Sequence, residues 1–225
     1  MSEPGPQRRL FELVRERMEA NPACHDYDHT LRVYRTALEI AEGEGADREV
    51  VSAAALLHDI ARDRELEEGS ENCHARLGAE ETQTILAGCG FEDRAFIARV
   101  AACVASHRYR RRPGQEPPAS PEERAVFDAD KLDGMGAVGI ARAFHFAGRI
   151  GARLHNSPEA ALESDPYSRE DTAYREYLIK LRRLEDTMLT ATGRRLARER
   201  SEFMDEFFRR LCAETGTGFP AREED

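Results

Sequence analysis

The sequence lacks the features that mark a membrane-spanning or secreted protein. None of its apolar runs approaches the roughly 20 residues that a membrane-spanning helix needs. The amino-terminal residues contain no apolar signal-peptide core, so we expect a cytoplasmic protein with no membrane partner. The five cysteines are an odd number and include no CxxC pair, which predicts reduced, mostly buried thiols and argues against disulfides or a zinc knuckle.

The chain also lacks an excess of positive charge. Its formal net charge is −10, which argues against an extended nucleic-acid surface or a surface for anionic lipids. One segment departs from this balance, because residues 107–112 contain four arginines directly after His107. If this segment borders a binding site, its charge would attract phosphorylated small molecules. The alternative is an ordinary solvated loop, which we favour for Arg111 and Arg112.

Patterns typical of half-buried strands are nearly absent, whereas apolar residues recur at helical spacing along the chain. Glycine and proline fall mostly between these periodic segments, where helices end. The sequence therefore predicts an all-α protein, with helices over residues 6–20, 28–43, 46–63, 72–88, 91–107, 121–134, 136–150, 168–190 and 193–213.

The predicted helices divide into two regions. Residues 1–151 are expected to form one compact domain, followed by residues 152–225, which comprise a polar loop over 152–167 and a C-terminal helical hairpin. The two hairpin helices are amphipathic. The apolar face of the first is expected to contain Tyr174, Tyr177, Leu178, Leu181, Leu184 and Met188, and that of the second Leu196, Phe203, Phe207 and Leu211. Their apolar faces either pack on the core or form a dimer contact, so a homodimer is one of two open alternatives.

Two ionisable residues stand at the end of the most apolar predicted helix. Residues 50–57 are almost entirely apolar, which indicates a buried helix, and His58 and Asp59 follow directly. A buried histidine or aspartate costs several kcal/mol unless it is paired, hydrogen-bonded or bound to a cation. The pair is therefore either a self-contained helix cap or part of a metal site.

Four further polar residues are predicted to point inward from other helices. Each lies at the end or the flank of a helix and shares a face with apolar neighbours: His29, His74, His107 and Asp130. Each histidine alone is more often a core residue than a ligand, but together with the His58-Asp59 pair they favour a metal site. Imidazole and carboxylate without thiolate suit divalent transition ions, and such a mixed site usually leaves positions open for water and substrate.

The order and surroundings of these residues resemble the HD-domain metal-dependent phosphohydrolase superfamily, whose signature is H…HD…D. The segments that carry the resemblance are HDYDHTLRVYRTALEIAE, AALLHDIAR, CHARLGAEET and FDADKLDGMGAVGIARAF. They are similar to bacterial and archaeal HD hydrolases of unassigned or nucleotide-directed function. The resemblance implies an HD-domain helical bundle and a divalent ion held by four residues: His29, His58, Asp59 and Asp130. Some branches add two histidines and a second ion, and His74 and His107 stand in the matching order; otherwise these two would contact substrate phosphate.

The resemblance also implies roles for nearby residues. Asp59 would hold a metal ion and orient water, and Asp63 is the candidate acidic helper, although Arg62 replaces an acidic residue expected there. Lys131 is a candidate for neutralising charge on the transferred group. The alternatives are a solvated lysine or an ion pair with Asp133. Arg108 and Asp133 are further candidates for substrate binding. Asp128 and Asp133 are candidate partners of ligand histidines. We assign His25, His145 and His155 to structure or to the surface by default, although His25 lies close enough to His29 to line the entrance of the site.

The leading hypothesis is therefore a metal-dependent phosphohydrolase acting on a nucleotide or a related phosphate ester or anhydride. One or two ions per chain are expected, from among Mn²⁺, Fe²⁺, Co²⁺, Ni²⁺, Zn²⁺ and Mg²⁺. A nucleotide-binding regulatory module without turnover is one alternative. A helical interaction protein with a structural metal is another.

Overall fold

The computed structural model describes residues 5–19, 25–64, 73–108 and 116–220. Within these ranges all regular secondary structure is helical and no strand occurs, which confirms the all-α prediction. The α-helices are α1 (Pro6–Met18), α2 (Tyr27–Glu44), α3 (Arg48–Leu57), α4 (His74–Gly88), α5 (Arg94–Ser106), α6 (Pro121–Asp133), α7 (Gly136–Arg149), α8 (Pro158–Glu163), α9 (Ala173–Ile179) and α10 (Ala191–Thr215).

Local sequence fixes where the helices nearest the candidate site begin. The side chain of Asp26 caps α2 by accepting a hydrogen bond from the backbone N–H of His29, and Asp47 caps α3 in the same way. Such caps satisfy backbone donors that would otherwise lack a partner. Gly45 then ends α2 in the left-handed conformation, with φ of 67°, which glycine adopts without steric cost.

The chain forms two compact units. The first contains Met1–Lys131 and Leu189–Gly193, and the second contains Leu132–Met188 and Arg194–Asp225. The domain boundary expected after residue 151 and the packing or dimer contact of the hairpin remain predictions.

The first unit is built around α3, whose residues from Val50 to Leu57 are all buried. Helices α2 and α5 pack against α3, α4 packs against α5, and α1 contacts α3. Each fully buried leucine contributes about 1.5–3 kcal/mol, so α3 is firmly held. The turn that follows α3 and carries His58 and Asp59 is therefore anchored in the core.

The second unit corrects two features of the predicted hairpin. The helix expected over 168–190 is α9 followed by two 3-10 turns, Leu181–Arg183 and Glu185–Thr187, because the backbone leaves the helical region at Lys180. Leu181, Leu184 and Met188 are nevertheless buried, so their helical spacing reported burial and not a continuous helix. A short helix, α8, lies in the expected loop, where Ser157 caps it ahead of Pro158.

The buried face of α10 agrees with the predicted one in part. Leu196 is buried, as expected, but 52% of the surface of Phe203 is exposed. The face also includes three buried residues that were not expected there: Ala197, Met204 and Phe208. The ring of Phe208 stacks on Tyr177, with the ring centroids 4.3 Å apart. The inward face of α10 is therefore the one whose Phe208 packs on Tyr177, and not the one with the most apolar residues.

Two expectations from composition can be compared with the described residues. Four cysteines are buried free thiols, as predicted, whereas Cys24 lies outside the described residues. No helix among the described residues is both long enough and apolar enough to cross a bilayer.

Candidate metal centre

The turn after α3 presents the ring of His58 in a fixed orientation. Its Nδ1 donates to the carbonyl of Ala55 at 2.8 Å. In the neutral imidazole the lone pair then lies on Nε2, which is the atom available to bind a metal ion. The chain makes a tight turn here, because the N–H groups of Ile60 and Arg62 bond back to the carbonyls of Leu57 and Asp59.

Four side chains meet at what we call site A, defined by His29, His58, Asp59 and Asp130. The Nε2 atoms of His29 and His58 lie 3.1 Å apart. Oδ1 of Asp130 is 3.7 Å from the first and 3.9 Å from the second. Oδ2 of Asp59 lies 3.6 and 3.7 Å from the same two nitrogens. Both histidines are fully buried.

A second group, site B, is formed by Asp59, His74 and His107. The other oxygen of Asp59, Oδ1, lies 3.3 Å from Nε2 of His74 and 3.6 Å from Nε2 of His107. These two nitrogens are 3.2 Å apart. Nδ1 of His107 donates to the carbonyl of Val104 at 2.7 Å, which leaves its Nε2 as an acceptor. Asp59 is thus shared, with one oxygen toward each site.

The donor sets fit divalent metal ions. Donor atoms that share one ion at about 2.0–2.2 Å lie about 3–4 Å from one another. The nitrogen–nitrogen and nitrogen–oxygen distances given above for each site fall in this range. Nitrogen and carboxylate oxygen suit Mn²⁺, Fe²⁺, Co²⁺ and Zn²⁺. The two carboxylates of site A supply two negative charges, which balance the charge of a divalent ion.

Known proteins with similar sequence and structure agree on a family. Residues 26–135 match the HD domain. The chain is 40% identical over 189 residues to the uncharacterized protein YpgQ of Bacillus subtilis, covering 83% of this chain and 82% of that protein. The chain belongs to the HD-domain family.

Solved structures of HD-domain proteins extend this likeness over nearly the whole chain. The crystal structure of YpgQ in complex with ADP has a TM-score of 0.70 and 32% identity, covering 92% of this chain and 97% of that one. A predicted HD superfamily hydrolase from an uncultured Thermotogales bacterium has a TM-score of 0.66 and 32% identity, covering 93% of each chain. An HD-superfamily hydrolase from Bacillus thuringiensis has a TM-score of 0.72 and 27% identity, covering 94% of this chain and 97% of that one.

Burial and nearby charges shift the pKa of three site A groups of this HD-domain protein toward the protonation states that bind metal. Burial lowers the pKa of His58 to about 4, although Asp59 and Asp130 favour its charged form. For Asp130, burial alone would raise the pKa, but Lys131 and His58 outweigh it and hold the pKa well below the usual range. The pKa of Asp59 is lowered in the same way, by His58 and His25 against burial.

Lys131 donates hydrogen bonds to one residue of each site. Its ammonium donates to Oδ2 of Asp130 at 2.6 Å and to the backbone carbonyl of His107 at 2.7 Å. It also lies 4.6 Å from the ring centroid of Phe127, and the residue is buried. One lysine therefore touches a ligand candidate of site A and the backbone of one in site B. Its role toward substrate remains a prediction.

The other predicted site residues lie apart from the two donor sets. Asp63 is exposed and accepts from the N–H of Arg64. Arg108 is half-buried and its Nη1 lies 3.4 Å from Sγ of Cys73, next to His74; residues 109–112 lie outside the described ranges. Asp133 belongs to the second unit, where it pairs with Arg142. The functions predicted for them remain predictions.

Asp128 was a candidate partner of a ligand histidine, but its recorded bonds go elsewhere. Its buried carboxylate accepts from the N–H groups of Leu189 and Thr190 and from the hydroxyl of Thr190. A Cβ at Gly193 would collide with the same carboxylate. Asp128 thus joins residues 189–193 to α6, two residues before Asp130.

Sequence reasoning missed two residues that contact the sites. His25, assigned to structure or surface, places Nδ1 2.7 Å from Oδ2 of Asp59. Arg62 donates from Nη1 to Nδ1 of His74 at 2.9 Å. The position of His25, four residues before His29, indicated a place at the entrance, but not a contact with Asp59. For Arg62, the only signal was its proximity to the His58-Asp59 pair.

Proposed function

We propose that this HD-domain protein is a phosphohydrolase that uses divalent metal and acts on a nucleotide or a related phosphate ester or anhydride. The observation that carries the proposal is the shared carboxylate of Asp59, which turns one oxygen to site A and the other to site B. Paired sites of this kind suit hydrolysis at phosphorus, where an attacking oxygen and a leaving oxygen both need stabilisation. We propose His29, His58, Asp59 and Asp130 as ligands at site A, and Asp59, His74 and His107 at site B.

Bound divalent ions would supply a water of lowered pKa and would screen the phosphoryl oxygens. The side chains of the protein orient the donor atoms and provide the negative charge. His58 and His107 are held by backbone carbonyls, so their Nε2 atoms keep a fixed direction. Asp59 and Asp130 remain ionised, and Lys131 offsets part of the charge of Asp130.

A nucleotide is the proposed substrate class because the relative YpgQ was crystallised with ADP. The half-buried Arg108, beside Cys73 and one residue from His107, is the proposed contact for phosphate on this chain. The same ADP complex is compatible with nucleotide binding without turnover. That regulatory module is the second candidate, and the experiment below separates the two.

The test is a hydrolysis screen on purified protein with its metal content measured. Phosphate and pyrophosphate release are followed over nucleoside mono-, di- and triphosphates and dinucleotides, each with Mn²⁺, Mg²⁺, Co²⁺ and Ni²⁺. Asp59→Ala is run in parallel with Asp186→Ala, which changes an exposed aspartate in the second unit.

We expect turnover that chelator abolishes and that Asp186→Ala leaves unchanged. Asp59→Ala should reduce kcat/KM by more than the roughly 10–100-fold loss typical of an outer hydrogen-bond partner, because it removes a ligand from both sites. Nucleotide binding without any turnover would favour the regulatory module. Turnover that survives chelation would contradict the proposal.

A further inference from the structure

We propose that His25 is a positioning residue that fixes the orientation of the Asp59 carboxylate between site A and site B. The inference rests on the proposed metal centre and not on the identity of a substrate. His25 belongs to none of the four elements of the H…HD…D pattern, so it adds a residue to the centre.

The evidence begins with one short contact. Nδ1 of His25 lies 2.7 Å from Oδ2 of Asp59, closer than any other recorded partner of that carboxylate in the described part of the chain. A carboxylate only accepts, so Nδ1 carries the hydrogen and donates it. The distance is typical of a hydrogen bond with a charged acceptor.

The same atoms could in principle ligate an ion together, since His25, His29 and Asp59 form a group of nearby donors. Two observations favour the hydrogen bond. Atoms that share an ion usually lie about 3 Å or more apart, and the 2.7 Å contact is shorter than this. Site A also already has four donors without His25.

Asp59 needs an orienting partner because its carboxylate can rotate about the Cβ–Cγ bond. The histidines of both sites approach Asp59 at 3.3–3.7 Å through Nε2. Once Nε2 binds an ion, its lone pair is used and it carries no hydrogen to donate. His25 donates from Nδ1 to Oδ2 and can keep this hydrogen bond both without and with bound ions, because each carboxylate oxygen has a second lone pair.

The start of α2 holds His25 in place. Asp26 caps that helix by accepting from the N–H of His29 at 2.8 Å, and His25 immediately precedes the cap. The rings of His25 and His29 meet edge to face, with centroids 5.2 Å apart and an interplanar angle of 76°. The His25 side chain keeps 34% of its surface exposed, so its removal leaves no closed cavity in the core.

Three variants test the assignment: His25→Ala, His25→Asn and, as a matched control, His145→Ala. Asparagine can place an amide N–H where Nδ1 stood, whereas alanine cannot. His145 is an exposed histidine of α7 in the second unit. Each protein is checked for folding by circular dichroism. It is then titrated with Co²⁺, followed by calorimetry for affinity and stoichiometry and by visible absorption for coordination.

We expect His25→Ala to weaken Co²⁺ binding about tenfold or more and to change the absorption spectrum, as loss of an outer partner usually does. The number of ions bound at saturation should not change. His25→Asn should recover most of the affinity, and His145→Ala should bind as the original protein does. With a substrate in hand, kcat should fall in His25→Ala while KM changes little.

Several results would overturn the assignment. Unchanged Co²⁺ affinity in His25→Ala would remove its basis, and loss of a whole ion would make His25 a ligand. Failure of asparagine to restore affinity would exclude the hydrogen bond. If the original protein binds Co²⁺ but hydrolyses no nucleotide, the proposed function fails while the Co²⁺ titrations still decide the role of His25.

Discussion

Site A and site B share Asp59 but differ in charge and in the state of their histidines. Site A has a second carboxylate, Asp130. The two carboxylate oxygens of site A lie 3.6–3.9 Å from the two imidazole nitrogens, which are 3.1 Å apart. Site B has three donors and only the shared carboxylate oxygen. The coulombic attraction for a divalent cation is therefore stronger at site A.

The histidines add to this difference. His58 in site A donates from Nδ1 to a carbonyl, which leaves Nε2 ready for a metal ion. His74 in site B accepts at Nδ1 from Arg62, because guanidinium can only donate, and its proton is then on Nε2. Binding at site B requires that proton to move. For the proposed metal centre, this contrast predicts tighter binding at site A and weaker binding at site B.

The largest effect should come from the residue that both sites share. Asp59→Asn keeps the size of the side chain but removes its charge, so neither site retains its bridging carboxylate. We expect binding of Co²⁺ in calorimetry to fall at both sites, with little ion retained after gel filtration. Asp186→Asn serves as the control. Persistence of one tight ion in Asp59→Asn would show that the sites do not depend on a common ligand.

Removing one histidine from each site should separate the two affinities. His58→Ala should abolish the tighter binding step, whereas His107→Ala should abolish only the weaker one. Each change deletes an imidazole held by a backbone carbonyl. Stepwise titration with Mn²⁺ or Co²⁺ measures both. Identical binding curves for the two variants would mean that the sites do not differ as proposed.

Lys131 offers a test through stability. Lys131→Met leaves the Asp130 carboxylate without its ammonium partner, which should destabilise the metal-free protein by about 3 kcal/mol because breaking a buried pair strands a charge. A bound ion at site A would supply the missing charge, so the loss should be smaller with metal. Urea unfolding with and without Mn²⁺ measures this.

The control for Lys131 is Lys180→Met. That lysine pairs with Glu176 while keeping 43% of its side chain exposed, so its loss should cost less than about 1 kcal/mol. Equal destabilisation of Lys131→Met with and without metal would indicate that Lys131 does not compensate charge at site A.

The smallest change is expected at Arg62. Arg62→Gln removes the cation near site B and leaves an amide that can accept from Nδ1–H of His74, the tautomer that binds metal. We expect the weaker Co²⁺ step to tighten by up to about tenfold, with the tighter step unchanged. Weakening of that step instead would identify Arg62 as a supporting partner of His74.

Much of the fold and the candidate site could be predicted because burial is visible in sequence. Charged or polar residues at the ends of apolar helices, as at His58 and Asp59, are costly unless they meet a partner. That cost predicted that His29, His74, His107 and Asp130 would converge, and the structure brings them together.

The parts that sequence did not predict depend on tertiary packing. Helical spacing over 168–190 reports which residues are buried, but it cannot show that the backbone breaks at Lys180. His25 lies outside any helix, so no periodicity pointed it at Asp59. Arg62 and His74 lie 12 residues apart in the sequence, so their hydrogen bond depends on the fold and not on a local sequence pattern.

The bonds of Asp128 have a consequence for the order in which the protein matures. Its carboxylate takes three donors from Leu189 and Thr190, which are made 61 and 62 residues later in synthesis. Until those residues leave the ribosome, the helix that carries Asp130 lacks these anchors. The metal centre should therefore be among the last parts of the nascent chain to reach its final form, and a fragment ending at residue 151 would lack them permanently.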